Sequence, residues 1–304
     1  QSGSGENLAC RIARELDFDL LLTGHQHMPV ESVRIGGTFA VQPPANAGRY
    51  LQVEAAVRDG GAEFSARLLP VGGIHREQPY RRLLPLEQAA QRWLDEPVGH
   101  LEQAIPPEEK LRAALHGSAV AALFNQVQLS HTGADISCTS LGNEPAGLAA
   151  SVTMRAITAA YLFSNTLVVL EITEEILRAL LERCASYFTL ENGTPRVSDA
   201  FLAPKVEHYN YDFFAGISYQ FDLRQPVGRR LTRLSRLDGT PLGPGPLRLC
   251  TSNYRATGTG GYDALRTCPV LWRGSVEMPE LVAEYVRANS PVSLPCNGRM
   301  EAIW

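Results

Sequence analysis

The sequence lacks an apolar run of the about 18–20 residues that cross a bilayer, so it carries no recognisable membrane span. It lacks an excess of positive charge. Its 28 Lys+Arg stand against 32 Asp+Glu for a net charge of -4, which leaves no electrostatic footprint for a nucleic-acid polymer or an anionic membrane. Cysteine is sparse and scattered, at positions 10, 138, 184, 250, 268 and 296. No two form a Cys-x-x-Cys pair, which argues against a zinc knuckle or a redox motif. No Gly-Lys-Ser/Thr follows a glycine-rich loop, so there is no P-loop. No Gly-x-Ser-x-Gly elbow is present to build a Ser-His-Asp or Cys-His arrangement on. There is no internal repeat, no low-complexity tract and no visible signal peptide. The chain opens on Gln1-Ser2-Gly3-Ser4-Gly5 and enters a helix pattern at once, as if in mid-domain.

What is present suits a loop-rich α/β protein. The 304 residues are 44% hydrophobic and 20% charged, enough for two domains with a sizeable core. Glycines number 26 and prolines 20, and arginine far outnumbers lysine. Cys10, Cys184 and Cys250 sit in apolar patterns and read as small core residues. Cys268 and Cys296 lie in loop-like sequence, and spacing does not decide whether they pair.

Leu8, Ile12 and Leu16 share one face of a helix predicted over Glu6 to Leu16. Leu20 to Leu22 reads as a buried strand, and Glu31 to Val41 as a strand pair around Gly36-Gly37. Tyr50 to Val57 and Glu63 to Leu69 alternate as a hairpin around Asp59-Gly60-Gly61. Residues 1–70 thus form one unit, the closing part of a layered α/β domain. Val71 to Pro85 reads as linker, Leu86 to Leu94 as a connecting helix, and Pro106-Pro107 closes a connector over 71–107. A second domain over 108–304 follows. Helices are expected at Leu111 to Gln126, Val152 to Leu162 and Pro279 to Asn289. Thr166 to Ile172 is a buried strand, and Thr173 caps a helix to about Tyr187. Ile217, Tyr219 and Phe221 alternate in a half-buried strand; Arg230 to Leu237 and Leu247 to Thr251 are further strands.

Five stretches can carry chemistry. Asp19 to His27 ends an apolar strand in Gly24 and then sets His25 and His27 one residue apart, the way an α/β scaffold offers imidazoles to a metal; a polar loop is the plain alternative. Ser252 to Asp263 follows a strand with Tyr254 and a loop rich in glycine, including Gly258 and Gly260. Glycine lets a backbone approach a ligand, and tyrosine offers a π-face. Phe163 is either core or the second face of a sandwich around a planar ring, with Asn165 bonding the ring edge. His131 to Ser137 places Asp135 after a helix. His208-Tyr209-Asn210-Tyr211-Asp212 is rich in hydrogen-bonding groups. His75, His100 and His116 stand alone and read as solvent-facing.

These stretches, in this order, resemble the 5'-nucleotidase family in the broad sense. The match runs through Gly5-Glu6-Asn7 with Thr23-Gly24-His25-Gln26-His27, then Asn125 to Gln128 with Gly133 to Ser137. It continues through Asn165-Thr166-Leu167 with Ala185 to Phe188, and Tyr209 to Asp212 with Asn253 to Ala256. The nearest branch is the bacterial 2',3'-cyclic-nucleotide 2'-phosphodiesterase/3'-nucleotidases. The resemblance implies the end of a four-layer α/β/β/α metallophosphoesterase domain followed by an α+β 5'-nucleotidase C-terminal domain. It implies a phosphoric ester hydrolase acting on small nucleotides and exported from the cytoplasm. It implies two divalent ions (Mn, Zn, Co or Fe) that activate a water or hydroxide. His25 and His27 resemble the last ligands of that site. Phe163 and Tyr254 resemble the base clamp, and Asn165 the base-edge contact. Asp135, Tyr209, Asn210, Gly258 and Gly260 are expected to line the same cleft.

Two departures bear on this. Relatives supply an Asp-x-His, a second Asp, an Asn-His and a further His before the Gly-His motif, whereas here the sequence starts at Gln1. The expectation is an incomplete metal site and a chain inactive by itself. Second, 5'-nucleotidases carry an Asn-x-Gly-Gly-Ile-Arg segment and an Asp in the last glycine loop. Ala134-Asp135-Ile136-Ser137 and Gly260 stand at about those places. A carboxylate facing the ribose diol would repel a phosphate on O2' or O3', so its loss favours 2',3'-cyclic and 3'-nucleotides. A 5'-nucleotidase or UDP-sugar hydrolase, or a nucleotide-binding module without catalysis, are the alternatives.

Overall fold

The computed structural model describes residues 8–72 and 77–304. The chain divides into two compact units, Gln1–Leu84 and Pro85–Trp304. The predicted helix start at Glu6, the Gly5-Glu6-Asn7 motif and His75 lie outside the described residues.

In the first unit, α1 (Ala9–Glu15) precedes a small mixed sheet. Strand β1 (Leu20–Leu22) runs parallel to β3 (Thr38–Gln42), and β2 (Val30–Ile35) pairs antiparallel on the other side of β3. The buried strand is therefore β3, not the leucine run: every residue of β3 is buried, whereas Leu22, on an edge, is 68% exposed. Cys10 is only half-buried. The predicted hairpin forms as β4 (Arg49–Arg58) and β5 (Gly61–Pro70), turning at Gly60 and Gly61 with φ of 107° and 149°.

Helix α2 (Glu77–Asp95) begins inside the stretch read as linker and carries Pro85 within it. After it come β6 (Pro97–His100), α3 (Lys110–His116) and α4 (Ala119–Thr132). The single helix expected over Leu111 to Gln126 is two. Gly117 adopts φ 90°, and the Ser118 side chain then accepts from the Ala121 N–H to start α4. Gly133, left-handed at φ 60°, stops it.

The main sheet of the second unit has five strands: β7 (Ile136–Ser140), β9 (Thr166–Ile172), β12 (Asp212–Ala215), β15 (Leu247–Ser252) and β16 (Val270–Glu277). Their order across the sheet is β12-β7-β15-β9-β16. Between these lie β8 (Ser151–Thr153), α5 (Met154–Ala160), α6 (Glu174–Ala185), β10 (Phe188–Glu191) and β11 (Thr194–Val197). Thr173 caps α6 as expected, accepting from the Ile176 N–H. Helix α5 is shorter than predicted because Ser151–Thr153 pairs with β6 instead. A second sheet places β13 (Ile217–Asp222) between β14 (Leu231–Arg236) and β17 (Arg299–Ile303). That central place explains why β13 is nearly all buried rather than half-buried. Helices α7 (Asn253–Ala256) and α8 (Met278–Asn289) complete the unit.

Helix α4 packs on β7, β12 and β15. Leu123, Phe124, Ile136, Leu167, Val169 and Leu249 are each at most 1% exposed and form the centre of the core. At about 25 cal/mol per Å² of apolar surface, this burial is the main stabilising term of the unit. Cys184 and Cys250 are core residues, as predicted; Cys268 and Cys296 are both free thiols.

Candidate functional site

Strand polarity gathers chain segments at one end of the main sheet. Ser140 ends β7 beside Asp212, which starts β12. Ser252 ends β15 beside Leu167, and Thr166 at the start of β9 pairs with Glu277 at the end of β16. The segments before β9, before β12 and after β15 therefore emerge together. They are the segments holding Phe163 and Asn165, Tyr209 and Asn210, and Tyr254 with the glycine loop. A recess here is lined by Thr139, Ser140, Tyr161, Asp212, Ser252 and Arg255, among others.

Arg255 organises this end. The Ser252 hydroxyl caps α7 by accepting from the Arg255 N–H at 3.1 Å, so Tyr254 is half-buried while Arg255 turns inward, 2% exposed. Its guanidinium grips Asp212 with two bonds, Nε to Oδ2 at 2.9 Å and Nη2 to Oδ1 at 2.8 Å. It also donates to the Tyr209 carbonyl at 2.9 Å and the Thr259 carbonyl at 2.7 Å. The Tyr262 ring lies 4.2 Å below it. Burial works most strongly against the cation, but the Asp212 charge and hydrogen bonds, together with Tyr262, outweigh it and hold the guanidinium protonated. One buried side chain thus ties the Tyr209-Asn210 turn to the glycine loop. Sequence reading missed Arg255 because a cationic side chain in a loop motif gives no sign of facing inward; Asp212 two residues after Asn210 was the available hint.

Phe163 is half-buried and touches Tyr161 and Tyr209 edge-on, at centroid distances of 6.0 and 6.3 Å. Asn165, also half-buried, donates from Nδ2 to the Tyr161 hydroxyl at 3.4 Å, and its carbonyl accepts from Met278 at 2.9 Å. Burial pushes the Tyr161 hydroxyl up to about 12, so it stays protonated. Glu207 holds two expected site residues at once, accepting from Tyr209 Oη at 3.1 Å and Asn210 Nδ2 at 3.0 Å. The Asn253 side chain accepts from the Thr166 N–H at 3.2 Å, pinning the Phe163 segment to α7.

The glycines serve the fold in a way the sequence did not suggest. Gly260 has φ 74°, and a side chain there would run into Asn210 Oδ1 and Arg255. Gly258 has φ 83° and lies against Arg266. The close approach they permit is to the protein's own Asn210 and arginines. Arg183 Nε donates to the Gly260 carbonyl at 2.8 Å and finishes the loop.

Asp135 is not brought into this group. It precedes β7, at the opposite end of the sheet, and its carboxylate accepts from the Arg248 N–H at 2.8 Å to fix the start of β15. Five residues of strand separate it from Ser140, about 17 Å. Cys138 in the recess is pushed well above the ordinary thiol range by burial, so it offers no thiolate nucleophile.

His25 and His27 lie in the first unit, both exposed and both left-handed, with φ of 70° and 58°. Non-glycine residues seldom take that conformation, and two of them flanking Gln26 mark a constrained turn. Among the described residues no three His, Cys, Asp or Glu side chains are grouped so as to hold a metal ion. Two imidazoles do not close a coordination shell, so by themselves these residues do not fit a resident ion.

Residues 97–267 match the family described as 5'-nucleotidase, C-terminal domain. The 2',3'-cyclic-nucleotide 2'-phosphodiesterase/3'-nucleotidase of Haemophilus influenzae is 22% identical over 361 aligned positions, covering 98% of this chain and 54% of the relative. A Staphylococcus aureus structure assigned as a 5'-nucleotidase superposes with a TM-score of 0.84 at 27% identity, covering 99% of this chain and 60% of that one. A Thermus thermophilus 5'-nucleotidase precursor shares the fold at TM-score 0.57 and 18% identity, over 94% of this chain and 59% of that one. The chain therefore spans little more than half the length of these relatives.

Proposed function

Since the chain belongs to the 5'-nucleotidase C-terminal domain family, we propose that it is the nucleoside-recognition part of a phosphoric ester hydrolase acting on nucleotides. The observation that carries this is the convergence of Phe163, Asn165, Tyr209, Asn210 and Tyr254 at one end of the main sheet. Phe163 and Tyr254 clamp the base, and Asn165 bonds its edge. Base–aromatic stacking contributes about 1–3 kcal/mol per base. Gly258 and Gly260 shape the loop beside the ribose, and Tyr209 and Asn210 line it. Asp135 lies too far along β7 to take part and supports the sheet instead.

The favoured substrates are 2',3'-cyclic nucleotides and 3'-nucleotides. Gly260 stands at about the place where 5'-nucleotidases carry a carboxylate, so a phosphate on O2' or O3' meets no like charge there. The relative from Haemophilus influenzae is named for that activity. The Staphylococcus aureus structure is assigned as a 5'-nucleotidase, which keeps a 5'-phosphate as the second reading. His25 and His27 would supply two imidazoles to one edge of a two-metal site, where divalent ions would activate the attacking water. The remaining ligands would come from elsewhere in the whole protein, whose proposed place is outside the cytoplasm. No described helix is long and apolar enough to cross a membrane.

Calorimetric titration with adenosine, 3'-AMP, 5'-AMP and 2',3'-cyclic AMP tests the reading. Phe163→Ala and Tyr254→Ala should each weaken adenosine binding about tenfold, the equivalent of 1.4 kcal/mol, with the fold retained. Unfolding of either variant, or unchanged affinity, would assign these rings to the core instead.

A further inference from the structure

The short 3-10 turn His208–Asn210 carries half-buried Tyr209 and buried Asn210, and it is anchored by a bond that nucleoside contact does not need. Tyr187 Oη and His208 Nδ1 are 2.7 Å apart. Tyr187 is 1% exposed and boxed by the rings of Phe188, Phe201 and Tyr211 at 5.4, 5.0 and 5.0 Å. Burial drives its phenol well above the ordinary range, so the hydroxyl keeps its proton, and donation to His208 Nδ1 is the direction that satisfies this buried O–H. His208 Nδ1 is then the acceptor, and the imidazole is neutral with its proton on Nε2. The His208 carbonyl in turn accepts from the Tyr211 N–H at 3.0 Å, closing the turn.

The charges around His208 favour the neutral ring. Its own burial disfavours the cation, Lys110 of α3 adds to this, and Glu109 of α3 opposes it. Glu207, on the same turn, has both carboxylate oxygens engaged by Tyr209 and Asn210. A protonated imidazole has no lone pair left on Nδ1. The Nδ1–H would then face the phenol oxygen, the buried Tyr187 O–H would lose its acceptor, and this anchor of the turn would be weakened.

We propose that His208 is a positioning residue: as a neutral acceptor for Tyr187 it helps hold Tyr209 and Asn210 in place for the nucleoside, and protonation loosens the turn. This rests on the nucleoside-binding reading, but its anchoring part can be measured without a ligand.

The test uses the chain itself, His208→Asn and Tyr187→Phe. Asparagine places an amide oxygen near the Nδ1 position and does not titrate. Hydrogen exchange over Glu207 to Tyr211, corrected for the intrinsic effect of pH, is compared between about pH 7.5 and about pH 5. Adenosine titrations follow at the same pH values. Exchange should accelerate on acidification in the native chain and stay level in His208→Asn. Tyr187→Phe should exchange faster at both pH values. Adenosine affinity of the native chain should fall about three- to tenfold between about pH 7.5 and about pH 5, the effect of one lost hydrogen bond, and stay level in His208→Asn. An equal acid response in native chain and His208→Asn would overturn the proposal. A clear exchange difference without adenosine binding at any pH would uphold the anchor and sink the nucleoside reading.

Discussion

Arg255 and Asp212, 43 residues apart in sequence, meet in a two-pronged ion pair with both side chains 2% exposed. The pair closes the end of the sheet that carries the candidate site, and its consequences can be measured directly.

Breaking the pair from one side leaves a buried charge without its partner. Asp212→Ala should cost about 3–5 kcal/mol in urea denaturation and abolish nucleoside binding. The double replacement Asp212→Leu with Arg255→Met should recover much of that stability, because neither charge is then stranded. It should not recover binding, since Tyr209 and Thr259 still lose the guanidinium that joins them. A double variant as unstable as Asp212→Ala would show that the charges themselves are required for folding.

Gly260 and Gly243 are both left-handed, at φ 74° and 87°, but only Gly260 is crowded. Alanine at either should cost about 1–2 kcal/mol for the backbone conformation. At Gly260 the new methyl also displaces Asn210 or Arg255, so the loss should be larger and nucleoside affinity should drop. At Gly243, with nothing within 4 Å, affinity should not change. Equal effects on binding would remove Gly260 from the site.

Burial pushes the Lys110 ammonium down to about 8 from 10.5, while it donates to the Leu141 carbonyl at 3.1 Å. The unfolded chain then binds more protons at this residue between about pH 8 and about pH 10.5. Lys110 therefore adds stability as pH rises through that window and costs most below it. Lys110→Met should be more stable than the native chain near pH 7, by on the order of 1 kcal/mol for a half-buried group. That advantage should shrink toward pH 10. A pH-independent difference in guanidinium midpoints would exclude this account.

His27 holds φ 58° in a turn where a glycine would sit without strain. His27→Gly should leave stability unchanged or raise it by up to about 1 kcal/mol, whereas His27→Val should lower it by about 1–2 kcal/mol. A loss of stability in His27→Gly would mean that imidazole contacts, rather than backbone conformation, hold the turn.

Much of the fold was legible because it rests on local patterns. The β4–β5 hairpin follows from alternation around Asp59-Gly60-Gly61, and α6 from the Thr173 cap. The break between α3 and α4 was not legible. Gly117-Ser118 is tolerable inside a helix by propensity, but in the fold Gly117 takes φ 90° and Ser118 caps a new helix. The exposure of Leu22 escaped for a similar reason: an apolar run shows which residues prefer burial, not which strand of a sheet lies on its edge.

The same division runs through the site. The order of residues along the chain set its chemistry: aromatics at 163, 209 and 254, amides at 165 and 210, and glycines at 258 and 260. It determined the strands that carry them, because apolar runs and caps act over a few residues. Which of these meet depends on the fold as a whole. Strand order and polarity brought Asn165, Asn210 and Tyr254 to one end of the sheet and left Asp135 at the other. It also turned Arg255 inward onto Asp212. Partners 43 residues apart are chosen by the burial of a charge that must be paired, and no local pattern records that choice.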